Sequence, residues 1–156
     1  MGRVHGARSR RPAARRYAWR ACVTVHSLAE RPAMPQELNE RQFRALVGEA
    51  LDGLPPEWAE LLDQVIVLVE DWASPEDLEE VGFAPDEAHD LLGLYVGIPI
   101  TERGALDDGL PDRVMIYRRP ILAICNSRAE VVREVQHTVL HELGHHFGLG
   151  EDDLPF

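Results

Sequence analysis

The sequence predicts a single α+β domain, and three observations carry that expectation. Apolar runs of strand length alternate with amphipathic helical stretches, and the last element is a long, capped helix. The chain of 156 residues is 45% apolar and 28% charged, the balance of one globular domain. No run approaches the ~18 uninterrupted apolar residues that a membrane helix needs.

The elements follow in order. Residues 1–33 are rich in Arg, Ala and Pro and show no helical or strand period, so they read as a disordered basic extension ahead of one domain over 34–156. Met34 opens the acidic, periodic part, which makes it a candidate start. Arg10-Arg11 and Arg15-Arg16 resemble twin-arginine export pairs, but the short Ala21–Ala29 stretch contains His26 and makes a poor hydrophobic core. From Glu37, Leu38, Phe43, Leu46, Val47, Ala50 and Leu51 recur at helical spacing until Gly53. Pro55-Pro56 starts a shorter helix through Leu62. Val65–Val69 is apolar on both faces and reads as a strand inside a covered sheet. Ser74-Pro75-Glu76-Asp77 caps a helix that stops at Gly82. Leu91–Val96 reads as a second strand and Arg113–Arg119 as a third that Pro120 ends, with a long loop, Gly97–Asp112, between them. Ile121–Cys125 fits either a further strand or a short helical turn. Ser127-Arg128-Ala129-Glu130 is a capping box for a helix running through about Phe147 and ending at Gly148. Val132, Val135, Val139 and Leu143 form its narrow apolar stripe, widened by Leu140 and Phe147.

Charge excludes one class of partner. The net charge is −11, yet residues 1–33 hold eight Arg and one acid, so residues 34–156 carry −18. Such a surface repels phosphate backbones, and no nucleic-acid partner is expected for the folded part; no membrane partner is expected either. Two separated cysteines, Cys22 and Cys125, give no disulfide framework, so a reducing, cytoplasmic setting is the expectation. The oligomeric state has no sequence signal.

His141-Glu142-Leu143-Gly144-His145 matches H-E-x-x-H on the last helix, a pattern that arises by chance in a chain of this length about once in a few hundred. Residues four apart lie one turn apart on one face, so two imidazoles can share one Zn²⁺. Glu142, one step around the helix, misses the metal but reaches an attacking water as general base. His141 and His145 project roughly 180° and 220° from Val132, opposite the apolar stripe, so an open side is expected for them. A catalytic zinc needs a third protein ligand. Glu151, ten residues after His141, is the first choice and Asp152 the alternative; the other reading makes Glu151, Asp152 and Asp153 a solvated tail. Cys125 is a weaker rival. His146, at about 320°, reads as a packed, hydrogen-bonded core histidine, and His137 as exposed or supporting a ligand.

The chain also resembles a known family. Ala50-Leu51-Asp52-Gly53-Leu54-Pro55, Leu92-Gly93-Leu94-Tyr95, Leu110-Pro111-Asp112-Arg113, Tyr117-Arg118-Arg119-Pro120-Ile121 and Thr138–Gly148 are similar to the small bacterial zincin-like metallopeptidases, or minimal metalloproteases, over about residues 36–154. The resemblance implies a small twisted mixed sheet packed on the active-site helix and amino-terminal helices, with an edge strand that pairs with extended peptide; Arg113–Tyr117 is the candidate edge strand by position. That family usually carries Asp at the place of Glu151. The residues after Gly148 hold no Met-turn pattern, so substrate pockets are expected from the Gly97–Asp112 loop and the amino-terminal helices.

The leading expectation is therefore a zinc-dependent peptidase acting on peptide or protein substrates. A non-catalytic, metal-stabilised binding module is the alternative. A metal-dependent ribonuclease is disfavoured by Glu142, by Glu151 in place of His, and by the acidic body.

Overall fold

The computed structural model describes residues 16–20, 38–97 and 111–148, the first five as backbone. The elements are β1 (Arg16–Arg20), α1 (Glu40–Asp52), α2 (Pro56–Leu62), β2 (Val65–Glu70), α3 (Pro75–Glu80), a 3-10 helix (Pro85–Asp90), β3 (Leu91–Val96), β4 (Asp112–Tyr117), α4 (Arg118–Ile124) and α5 (Arg128–His146). No described helix is long and apolar enough to cross a membrane.

Local chemistry sets the helix ends. Asn39 and Gln42 exchange side-chain bonds to each other's N–H at 2.9 and 3.0 Å, a reciprocal cap that starts α1. Ser74 Oγ accepts from Asp77 N–H at 3.1 Å and begins α3. α3 ends with Gly82 at φ +77°, while Phe83 N–H reaches Leu78 O at 2.8 Å and Gly82 N–H reaches Glu79 O at 3.1 Å. That double closure requires the left-handed region and hence glycine. Ser127 Oγ accepts from Glu130 N–H, and Glu130 reaches back to Asn126 N–H at 2.6 Å, so α5 starts where the capping pattern places it. Gly148, at φ +73°, follows its end.

Among the described residues the sheet has four strands in the order β1-β3-β4-β2. β2 and β4 run parallel; β3 is antiparallel to β4 and to β1. One cluster joins Phe43, Leu46, Val47 and Ala50 of α1 with Val131, Val135, Val139 and Leu143 of α5 and one face of the sheet. A second, around Leu78, Leu91, Leu94 and Tyr117, closes the other face against α3 and the 3-10 helix. Gln136 Nε2 donates to Ala50 O at 3.1 Å and fixes α5 against α1.

Four expectations change. Arg16–Arg20, read as part of a disordered extension, form β1: an edge strand takes its order from the main chain of its partner, so its own residues need no strong period. β2 is not the covered strand its apolar run implied but an outer one, with Ile66 44% exposed, whereas β3 is buried at all six positions. Arg113–Tyr117 is not the edge strand, because β4 lies between β3 and β2. The third strand stops at Tyr117, and α4 takes Pro120 in its first turn, where no helical N–H is missed; this also resolves Ile121–Cys125 in favour of helix. The switch is enforced at Arg118, whose guanidinium holds Asp71 at 2.7 and 3.1 Å and Leu38 O at 2.6 Å, while Arg119 N–H bonds Asp71 O.

Candidate active site

α5 carries Glu142 directly beneath β3, with His141 one residue before it on the same helix. The contact is close because Gly93 has no side chain: a Cβ there would meet Thr138 Cγ2, Met115 O at 2.9 Å and Glu142 Cγ at 3.7 Å. Thr138 and Glu142 therefore face β3, and the helix approaches the strand backbone as only glycine permits.

Glu142 Oε2 accepts a hydrogen bond from the main-chain N–H of Tyr95 at 2.8 Å. This 47-residue bridge fixes the carboxylate in one orientation. His141 is 1% exposed and Glu142 0%. The expectation of an open side for His141 is thus overturned: α5 packs on α1 along its apolar stripe and on β3, β4 and β1 elsewhere, so the polar face is covered as well. Helical phase alone sees one covered face, and the sheet supplies the other.

His146 is buried and hydrogen-bonded, as its phase implied. Its Nδ1 lies 2.6 Å from Tyr95 Oη and 3.4 Å from Asp112 Oδ2, and its ring meets Phe147 edge-on at 4.4 Å between centroids. Gly97 leaves room for this group, since a Cβ there would meet Asp112 Oδ1 and lie 2.5 Å from Tyr95 Oη. Tyr95 thus ties two parts of the site together, its N–H on Glu142 and its hydroxyl on His146. Neither Tyr95 nor Asp112 was identifiable as a site residue from sequence. The one signal was an acid and a phenol at the ends of apolar strands, each requiring a polar partner once buried.

His137 is exposed. On the preceding turn Glu134 is half-buried; burial pushes its carboxyl above the ordinary range, and nearby His137 pulls the other way. Cys125 is buried in the larger apolar cluster. The backbone of α5 includes His145 one turn after His141. The side chain of His145, and Glu151 and Asp152 altogether, lie outside the described residues, among which no three His, Cys, Asp or Glu side chains gather into a metal cluster.

The model of the zincin-like metallopeptidase family matches residues 62–155, which span β2 through the whole of α5 and beyond. The chain belongs to the zincin-like metallopeptidase family. No curated protein matches it. The matched stretch contains β3, β4 and α5, so the buried carboxylate beneath β3 falls inside the family's region. Membership in this metallopeptidase family places the zincin-like chain in the general class of metal-dependent peptidases, implies zinc as the metal, and implies peptides or proteins as the substrate class.

Proposed function

We propose that this zincin-like protein hydrolyses peptide bonds with zinc held by His141, His145 and Glu151, Asp152 being the alternative third ligand, and with Glu142 as the general base. The observation that supports this most is the fixed position of Glu142 beside the backbone of β3, on the helix that carries H-E-x-x-H within the matched family region.

The donor set fits the metal in kind: two imidazoles one helical turn apart and a carboxylate beyond the helix end match a His-His-acid site with one position left for substrate or water. Zinc, when bound, supplies Lewis acidity that polarises a peptide carbonyl and acidifies water. The chain's own residues do the rest. Tyr95 N–H orients the Glu142 carboxylate through Oε2, and that carboxylate takes the proton from attacking water. As the new C–O bond forms and the C–N bond breaks, the same carboxyl returns the proton to the leaving amine. Tyr95 Oη, His146 and Asp112 hold β3 and the end of α5 in register, so that the base keeps its distance from the scissile bond.

Elemental analysis with a mixed-peptide cleavage assay on the parent and Glu142→Ala tests the proposal. One zinc in each, with cleavage lowered about 10²–10⁴-fold in the variant, is expected for loss of a general base. No zinc in either would overturn the assignment of His141 and His145. The burial of His141 and Glu142 favours one second reading, a closed, non-catalytic metal-binding module. It requires one zinc and no turnover in either protein.

A further inference from the structure

A peptidase must admit an extended substrate to its general base, yet Glu142 and His141 are covered. β1 bears on that contradiction. It pairs with β3 on one side, antiparallel, and lies against α5 as well. Tyr17 stands opposite Tyr95, the residue whose N–H holds Glu142, and Ala18 stands opposite Leu94. Without β1, β3 would be the outer strand beside the base, and an unpaired strand edge accepts an extended peptide through its main chain whatever the side chains.

Building on the peptidase reading above, we propose that Arg16–Arg20 occupies the substrate's place on β3 as a reversible internal inhibitor, and that the edge it covers therefore prefers arginine-rich peptides.

Three features support this. The pairing is five residues long, its register shifts between Trp19 and Arg20, and among the described strands β1 pairs with β3 alone. The segment comes from the one basic part of the chain, with eight Arg in residues 1–33, and docks on a body that carries −18. Opposite charge favours such docking and makes it sensitive to salt. The segment also brings its own main chain past the residue that holds the general base, which is the path a scissile peptide would take.

The test uses the full chain. Ala18→Pro removes a main-chain donor in the middle of β1 and disfavours its pairing. The variant is expected to melt cooperatively like the parent. It should bind a fluorescent peptide of residues 14–22 at least tenfold more tightly than the parent, with affinity falling as salt rises, and cleave arginine-containing peptides at least tenfold faster. Hydrogen exchange on the unmodified chain supplies a second measurement: amides shared by β1 and β3 should exchange at least tenfold faster than those shared by β2 and β4. Equal peptide binding by parent and variant, exchange at the β2–β4 rate, or loss of the folded state on breaking β1 would each overturn the proposal, since β1 would then be an integral strand. Tighter peptide binding by the variant with no cleavage by either protein would uphold the strand exchange and overturn the peptidase reading alone.

Discussion

Gly93 and Tyr95 show how much of the site rests on residues that carry no reactive group. Gly93 sets the distance between β3 and α5, and any side chain there must displace Thr138 or the β4 carbonyl of Met115. Gly93→Ala is therefore expected to lower stability by about 1–3 kcal/mol through overpacking. Peptide cleavage should fall with it, because Glu142 moves with the helix. Urea unfolding of Gly93→Ala and of Gly93→Ala with Thr138→Ser checks this. The second change removes Cγ2 but keeps the hydroxyl that bonds Glu134 O, and should restore part of the loss. The H-E-x-x-H spacing and its place on a helix were legible in the sequence, since both depend only on residues within two turns. The partners of Glu142 and His146 were not, because Tyr95 lies 47 and 51 residues away along the chain.

At the scale of the elements, the turn from β4 into α4 is tied to Asp71, which pairs closely with Arg118 and more distantly with Arg119. Arg118 is buried and Asp71 half-exposed, and the guanidinium, chiefly by direct hydrogen bonding, holds the Asp71 carboxyl below its ordinary value of 3.8. The sign follows: with the folded value lowered, this stabilisation is present above pH 3.8 and is lost as pH falls through the folded value. Asp71→Asn should cost about 1–3 kcal/mol at neutral pH, since a buried cation loses its charged partner. It should also remove that part of the acid-side loss; denaturant midpoints for both proteins between pH 7 and pH 2 measure the difference. The caps at Ser74 and Ser127 and the stops at Gly82 and Gly148 were all readable in advance, because a cap is chemistry between neighbours in the chain. The exposed position of β2 was not, because Val65–Val69 has the same apolar run at an edge as in a centre, and strand order is set elsewhere.

For the whole molecule, the described sheet packs on both faces against apolar clusters built from α1, α5, α3 and the 3-10 helix. The fold should therefore survive metal removal. Chelator-treated protein is expected to retain a cooperative melt, and added zinc to raise its midpoint by mass action, about 2.7 kcal/mol when free metal stands at a hundred times its dissociation constant. Calorimetry with and without zinc checks this, and a non-cooperative apo-protein would make the metal part of the core instead. The sequence by itself determined the α+β class, α1, α2, α3 and α5 with their approximate ends, and the H-E-x-x-H motif with its register on α5, because each of these is written in periods and caps a few residues long. Only the tertiary structure decided the strand order, the role of β3 beside Glu142, the strand formed by Arg16–Arg20, and the burial of His141. These depend on which surfaces meet across long stretches of chain, and such meetings are settled by packing and main-chain pairing, which leave no local pattern.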